Sequence, residues 1–326
     1  MEQVEKILDL ISSLSQTQIA TLKDALEVLP SSKEAKRVGD IKVKKHPSID
    51  CPHCACNLVK GHGQYKGRKR YKCCFCSKTF TELTDTPISN TKYPEKWNDF
   101  VKCSIDGLSL RKTAEKLGIH VATAFKWRHK LMGAYISDQK LTGIAEADET
   151  FFLYSEKGSR SVAQRRKPRK RGGKAKSAGI SDDQIPVIVG KDRDKSLIAG
   201  VVGRGRVSAK DIELVLEEHI EKDTTLCSDA HPSFKAFAKA NKIKYVQLNI
   251  KQGKRVIRKK YHIQNVNNAH SYIKKWMARF NGVATKYLQN YMNWYCLMEE
   301  IKDSKNQSKE FAQKVIHLNI DEEGRI

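Results

Sequence analysis

Two pairs of cysteines have the spacing of a metal site. Each pair is a C-x-x-C motif, and the four residues are Cys51, Cys54, Cys73 and Cys76. Two such knuckles joined by a short β-ribbon bring four thiolates to one tetrahedral Zn²⁺, which leaves no open position for catalysis. We therefore predict one structural zinc ion. The neighbouring Cys56 and Cys74 become ligands only if the register of the motif shifts.

Two aspartates have the residue type that metal-dependent phosphoryl transfer requires. Asp148 lies in an alternating, strand-like stretch, and Asp229 ends a later one. Carboxylates from different elements must converge to hold two cations beside a phosphate. Strand alternation places Glu146 on the face of Asp148 and Glu149 on the opposite face. Glu146 is therefore the local alternative, and Glu149 is expected to make a structural contact.

A later helical stretch offers a third group for such a site, but it contains no carboxylate there. Asn267 and Lys274 share one helical face with His270 and Ser271, because these residues are spaced at i, i+7, i+3 and i+4. A carboxamide oxygen coordinates Mg²⁺ without adding charge, and Lys274 is placed to steady a phosphate. The other interpretation is that the asparagines cap the helix.

The charge of the chain points to a polyanionic partner. Its 326 residues include 61 Lys and Arg against 37 Asp and Glu, a formal net charge of +24. Double-stranded DNA is the first candidate. No apolar run approaches the roughly 18 residues of a membrane span, and no signal peptide opens the sequence. We expect a protein of the bacterial cytoplasm, associated with the nucleoid when bound to DNA, where metal is favoured over disulfides for its cysteines.

A helix-turn-helix pattern lies between the cysteines and the aspartates. Ser109 can cap a first helix and Gly118 permits a tight turn before a second. The second helix is expected to present four residues outward to DNA, namely His120, Thr123, Lys126 and Arg128. Such units also occur as protein–protein modules, but the charge favours DNA.

Two basic segments are further candidates for phosphate contacts. The ribbon carries Arg68, Lys69 and Arg70. A loop at 164–176 includes Arg165, Arg166, Lys167, Arg169, Lys170 and Arg171. A run of this kind between two strands of a basic enzyme is a natural phosphate clamp, whereas the alternative is a solvated segment.

The element order predicts a multi-domain α+β protein. We expect an N-terminal helical hairpin with its linker at 1–45, a zinc ribbon at 46–90, a helix-turn-helix domain at 91–138, an α/β ribonuclease-H-like catalytic domain at 139–300 and a C-terminal tail at 301–326. In the catalytic domain, three strands are followed by helix, strand, helix, strand and a closing helix.

The sequence resembles the DDE-superfamily insertion-sequence transposases of the family numbered fifteen-ninety-five. The resemblance rests on Cys51-Pro-His-Cys54, Arg70-Tyr-Lys-Cys-Cys-Phe-Cys76, Glu146-Ala-Asp-Glu-Thr150, Ser228-Asp-Ala230, His262-Ile-Gln-Asn-Val-Asn267, Lys274-Lys-Trp276 and Phe280-Asn-Gly-Val-Ala-Thr-Lys-Tyr-Leu288. It implies a catalytic set of Asp148, Asp229, Asn267 and Lys274, with the first three as ligands of Mg²⁺ or Mn²⁺. Asn265 and Asn268 stay open as the third residue if the alignment shifts.

The implied activity is cleavage at the ends of a mobile element, recognised through its terminal inverted repeats, and joining of the freed 3′ hydroxyls to target DNA. Two ends must be handled together, which implies a homodimer or higher assembly on DNA. The main alternative is a DNA-binding regulator with a catalytically inactive domain, which the neutral Asn267 keeps open. A nuclease on the same fold and a zinc-stabilised scaffold explain fewer of the segments.

Overall fold

The structure is a computed structural model that describes residues 49–65, 67–159, 179–249, 252–253 and 255–316. The predicted hairpin at 1–45 and the basic loop at 164–176 lie outside these residues. The described part of the chain divides into two compact units, one ending at Asp85 and one beginning at Thr86.

The first unit is a small antiparallel sheet. Strands β1 (Val59–Tyr65), β2 (Arg68–Cys73) and β3 (Thr79–Phe80) pair in that order. Its core is small, with Val59, Tyr71 and Phe80 packed beside Cys51 and Cys73. So few apolar side chains bury too little surface to stabilise a domain alone, which explains why a metal would be needed here.

The second unit begins with three helices, α1 (Trp97–Ile105), α2 (Leu110–Leu117) and α3 (Val121–Ala134). The Ser109 hydroxyl caps α2 by accepting from the Lys112 amide, as the sequence predicts. Gly118 follows α2 with φ of 57°, the left-handed conformation that glycine adopts most readily. The indoles of Trp97 and Trp127 stack with ring centroids 4.3 Å apart and lock α1 onto α3.

A five-stranded sheet follows. Its elements along the chain are β4 (Ile144–Leu153), β5 (Gln184–Lys191), β6 (Leu197–Val201), α4 (Ala209–Leu216), β7 (Thr225–Ser228), α5 (Pro232–Ala240) and β8 (Lys244–Gln247). The strand order is β6-β5-β4-β7-β8. The pairs of β5 with β4 and β6 are antiparallel, and the pairs of β7 with β4 and β8 are parallel. The chain is thus mixed α/β, with β4 at the centre of this sheet.

Helix α4 approaches the sheet closely because β6 carries a glycine there. A Cβ on Gly200 would collide with the side chain of Val215. The core on this side also holds Ile188, Leu226 and Phe234, all fully buried.

Three more helices complete the unit, α6 (Gln264–Ala278), α7 (Leu288–Ile301) and α8 (Gln307–Ile316). Helix α6 packs on β4 and β5, α7 packs on β6 and α3, and α8 packs on α1 and α3. The expectation of a tail from 301 is therefore wrong for α8, which buries Phe311 and Val315. Residues 317–326 lie outside the described part of the chain. None of the described helices is long and apolar enough to span a membrane.

Candidate functional site

The four predicted zinc ligands converge in the first unit. Their sulfur atoms all lie within 4.8 Å of one another. Cys51 Sγ is 3.6 Å from Cys76 Sγ, and Cys54 Sγ is 3.6 Å from Cys73 Sγ. A tetrahedral zinc with bonds of about 2.3 Å places its sulfur atoms about 3.8 Å apart. The cluster therefore fits one zinc ion and, within the described residues, is the sole group of three or more such side chains close enough to share a metal.

The backbone prepares one of these thiols for ionisation. Burial alone would raise the pKa of Cys73, but the amides of Phe75 and Cys76 donate to its sulfur at 3.3 and 3.4 Å. Together with the neighbouring thiols they lower the pKa of Cys73 to about 7. Burial raises the pKa of Cys54, so its thiolate form needs a bound cation such as zinc to be stable at neutral pH.

The sheet of the second unit brings the two predicted catalytic aspartates together. Glu146 on β4 pairs with Cys227 on β7, so Asp148 and Asp229 each lie two residues beyond this pair. The Asp148 carboxylate accepts from the amide of Glu149 at 2.9 Å, and that of Asp229 accepts from the amide of His231 at 2.9 Å. These local bonds orient the Asp148 side chain in the middle of β4 and the Asp229 side chain just past the end of β7.

The carboxylates at this place lie close enough to disturb one another's ionisation. Burial, followed by the charges of Glu149 and Asp229, raises the pKa of Asp148 to about 7. Carboxylates that raise one another's pKa are held together against their repulsion, and a divalent cation relieves that repulsion. We refer to Asp148, Glu149 and Asp229 as the carboxylate cluster.

Glu149 was expected to make a separate structural contact, and the structure places it beside the catalytic candidates instead. Burial raises the pKa of Glu149, His231 opposes the rise, and Asp229 adds to it. Its Oε2 is buried and has no hydrogen-bond partner among the described residues. Strand β7 ends at Ser228, so Asp229 lies past the last paired residue and its charge reaches both faces of β4.

Glu146 was the alternative ligand from the sequence, and the structure gives it another task. Its side chain is fully buried and lies 2.9 Å from the Arg193 guanidinium and 3.2 Å from His262. It also accepts from the amides of Asn265 and Val266 at 2.7 and 3.0 Å. These bonds satisfy amides that the first turn of α6 leaves open. Glu146 therefore fixes the start of α6, and the interpretation as a free metal ligand is wrong.

Helix α6 brings His270 close to Asp148. His270 Nδ1 is 3.9 Å from an oxygen of Asp148, while burial and the charge of Lys274 lower the pKa of His270 to about 4. Asn267 and Lys274 are exposed, one turn to either side of His270 on the same face. Asn265 instead donates its Nδ2 to Glu146 at 3.1 Å, which leaves Asn267 or the exposed Asn268 as the third residue, still a prediction.

Three of the four outward positions predicted on the second helix of the pair are accessible. His120 and Lys126 are exposed, Thr123 is half-buried, and the His120 ring caps α3 by accepting from the Ala122 amide. Arg128 does not face outward as predicted, because it is only 3% exposed. Its guanidinium donates to the Leu108 carbonyl at 2.6 Å and lies over the Trp294 ring. Helix α3 packs against α7 on that side, which removes Arg128 from solvent.

The basic residues of the ribbon have mixed exposure. Arg68 pairs with Glu82 at 2.9 Å, and Arg70 donates from Nε to the His62 carbonyl at 3.0 Å. Lys69 is exposed. The six arginines and lysines predicted as a clamp at 165–171 lie outside the described residues.

Comparison with known proteins identifies the domain that carries the carboxylate cluster. Residues 140–295 match the family model of the ISXO2-like transposase domain. The chain is also similar to an uncharacterized protein in transposable element ISH50 of Halobacterium salinarum, at 21% identity over 264 residues, which cover 80% of this chain and 88% of that one. The chain therefore carries a transposase domain. The domain at 140–295 belongs to the ISXO2-like family, which confirms the resemblance found in the sequence.

Solved structures give weaker likenesses. A simian T-cell lymphotropic virus intasome in complex with the PP2A regulatory subunit B56 gamma is 14% identical, with 62% of this chain and 64% of that one covered and a TM-score of 0.29. A pre-cleavage Mos1 transpososome is 11% identical, with 71% and 82% covered and a TM-score of 0.24. Similarities this low carry no argument about the present protein.

Proposed function

We propose that this transposase binds the terminal inverted repeats of an insertion sequence, cleaves the DNA there and transfers the 3′ ends to target DNA. The observation that supports it most is the carboxylate cluster, which lies where β7 ends beside the middle of β4. Its buried Asp148 has a pKa raised to about 7 by burial, Glu149 and Asp229. In a chain of net charge +24, a DNA phosphate is the natural substrate for that cluster.

Asp148, Asp229 and Asn267 are the residues we propose to hold Mg²⁺ or Mn²⁺. Bound there, two such cations would stabilise the attacking and leaving oxygens of an in-line displacement. The chain's own contribution is position and charge. Backbone amides orient the two aspartates, and Lys274 on α6 supplies a cation beside His270 for a phosphate oxygen. No side chain need form a covalent bond to DNA, because positioning and charge neutralisation suffice.

The finer architecture is part of this proposal. We assign the sheet and α4–α6 to a ribonuclease-H-like catalytic domain, α2 and α3 to a helix-turn-helix, and the first unit to a zinc ribbon. Lys69, His120, Thr123 and Lys126 are the described residues left to meet the element ends. A dimer or larger assembly would hold both ends, in the cytoplasm at the nucleoid where DNA is available.

One observation favours a second candidate function. The third position on α6 is a neutral asparagine, exposed in the structure, so it adds no charge to balance two divalent cations. A DNA-binding regulator with an inactive catalytic domain would keep the ribbon and the helix pair and dispense with that charge.

The deciding experiment is a strand-transfer assay on oligonucleotides that carry the repeats flanking the source gene. Wild type, Asp229→Asn and Asp223→Asn are compared in Mg²⁺ and in Mn²⁺. Asp223 is a matched control because it is an exposed aspartate near the same strand, paired with Lys244 at 3.0 Å. Joined product from wild type and Asp223→Asn, and none from Asp229→Asn, is the expected result. Tight repeat binding without product in either metal would favour the regulator.

A further inference from the structure

A basic and aromatic cavity lies between the helices α2 and α3 on one side and the loop after α6 on the other. Its volume is about 660 Å³, within the range of ligand-binding cavities. The loop segment that lines it runs from Arg279 to Tyr287. Among the described residues predicted above for cleavage or for repeat recognition, Arg128 alone lines this cavity. The sequence predicted that Arg128 faces DNA, but its side chain is buried.

The cavity concentrates positive charge without a counterion. Four cations line it, Arg128, Lys157, Arg279 and Lys286, and among its lining residues, all in the described part of the chain, none is acidic. Lys157 is engaged, since its ammonium donates to the carbonyls of Asn281 and Gly282 at 2.9 and 2.8 Å. That lysine therefore shapes the loop and leaves the other three cations to face a ligand.

Two of these cations, Arg128 and Arg279, have hydrogen-bond donors without an acceptor among the described residues. Arg128 Nε is buried without a partner, although the side chain is only 3% exposed. The Arg279 guanidinium lies over the rings of Trp276 and Phe280 at 4.6 and 5.0 Å and makes no hydrogen bond or ion pair with the described residues. Burial lowers the pKa of both guanidinium groups. A buried donor without an acceptor, such as Arg128 Nε, is costly, and an anion in the cavity would also pair with the exposed Arg279.

Aromatic side chains supply the other half of the site. Phe125 and His129 from α3 both contact the Tyr287 ring, with centroids 5.5 and 4.2 Å apart. Phe125 and Tyr287 are half-buried and line the cavity. Aromatic side chains that line a basic cavity can stack against nucleobases, whatever the base sequence.

We propose that this cavity receives one unpaired nucleotide of the DNA strand, with its base against Phe125 and Tyr287 and its phosphate facing Arg279 and Lys286. This inference rests on the proposed function, which supplies the DNA. Arg279 follows the last turn of α6, about 18 Å along the helix from Asn267. That length corresponds to about five base-pair steps of duplex, so the nucleotide should lie within a few steps of the cleaved phosphate.

The test is a scan of single mismatches through the first eight steps of the element end, with duplex affinity measured by fluorescence anisotropy. Extruding a nucleotide from a duplex costs unpairing and unstacking free energy, and this cost is smallest where the base is already mispaired. Wild type should therefore bind tighter by about tenfold at one or two positions and bind all other mismatched duplexes unchanged. Lys239→Ala is the control, because it removes an exposed cation of α5 that does not line the cavity.

The cavity variants are Arg279→Ala, Lys286→Ala and Tyr287→Leu. Each should lose most of the tenfold gain while keeping its affinity for the fully paired duplex within a few-fold. Arg279 packs on aromatic rings, so its variant is compared only when its melting curve matches wild type. Lys286 is exposed and is removed without unpacking the core. A gain that persists in both Lys286→Ala and Tyr287→Leu overturns the proposal.

Three further outcomes separate this inference from the proposed function. A flat mismatch profile together with tight duplex binding would sink the nucleotide site alone. Failure to bind any duplex would remove the proposed function and this inference with it. A flat profile with a higher melting temperature in free deoxyadenosine monophosphate would mean that the cavity takes a free nucleotide, which overturns the assignment to a strand.

Discussion

The Glu146 carboxylate and the Arg193 guanidinium meet at 2.9 Å, and the carboxylate side of this ion pair is completely shielded from water. The same carboxylate accepts from the amides of Asn265 and Val266, so a strand in the centre of the sheet holds the first turn of α6. Glu146 and Asp148 lie on one face of β4, and α6 packs there. Of these two carboxylates on one face of β4, Glu146 anchors α6 and Asp148 remains the catalytic candidate.

Replacing Glu146 by Gln should destabilise the protein by about 3–5 kcal/mol, because Arg193 would stay in place without its buried partner. Chemical denaturation measures the loss, and faster hydrogen exchange in α6 would locate it. Glu299→Gln is the matched control, since Glu299 forms an exposed pair with Lys302 at 2.8 Å and should cost less than about 1 kcal/mol. Equal losses in the two variants would contradict the anchoring role.

Asp148→Asn should stabilise the metal-free protein at neutral and higher pH. The folded pKa of Asp148 is about 7 against an ordinary value of 3.8, so folding favours the protonated form. The stability associated with that proton is fully present below pH 3.8 and is lost as the pH rises through 7, by up to about 4 kcal/mol. Melting curves of wild type and variant in EDTA should separate progressively from about pH 4 to pH 7 and keep a constant separation above pH 7. Mg²⁺ should then stabilise wild type and leave the variant unchanged.

Cys73→Ser should abolish zinc binding, which native mass spectrometry would record as a fall from one zinc per chain to none. The loss of the metal should unfold the first unit, because its apolar core is small. Limited trypsin digestion should then cut within 51–85 while the second unit survives. Cys74→Ser provides the control from the adjacent position, and zinc loss in that variant would show that the ligand register is shifted.

Arg128 and Lys126 should respond in opposite ways to alanine substitution. Arg128→Ala removes a buried side chain with its hydrogen bond to the Leu108 carbonyl and should cost more than about 2 kcal/mol of stability. Lys126→Ala should melt like wild type but bind the terminal repeats more weakly, with the log–log salt slope smaller by about 0.9. Unchanged repeat affinity in Lys126→Ala would argue against α3 as the recognition helix.

Local patterns in the sequence were enough to predict most of the elements around the site. The alternation of apolar and polar residues predicted β4, Ser109 predicted the start of α2, and the C-x-x-C spacing predicted the cluster of four thiols. The sequence did not predict which side chains contact one another across elements. Glu146 finds Arg193 and His262 only after the sheet and α6 assemble, and Arg128 turns inward because α7 covers that side of α3. Glu149 was predicted to lie apart from the catalytic candidates, but it lies beside Asp229. Alternation along β4 does not indicate where the neighbouring strand β7 ends.

Helix α8 carries a consequence for the order of folding during synthesis. It packs on α1 and α3, and Lys314 reaches back to Asp138 at 3.1 Å and to Glu300 at 2.7 Å. The ribosome therefore has to release more than 170 further residues after α3 before this helical cluster can close. Until then its apolar side is open in the nascent chain, where chaperones would shield it. The helical cluster of α1 and α3 is therefore completed only by the last described helix of the chain.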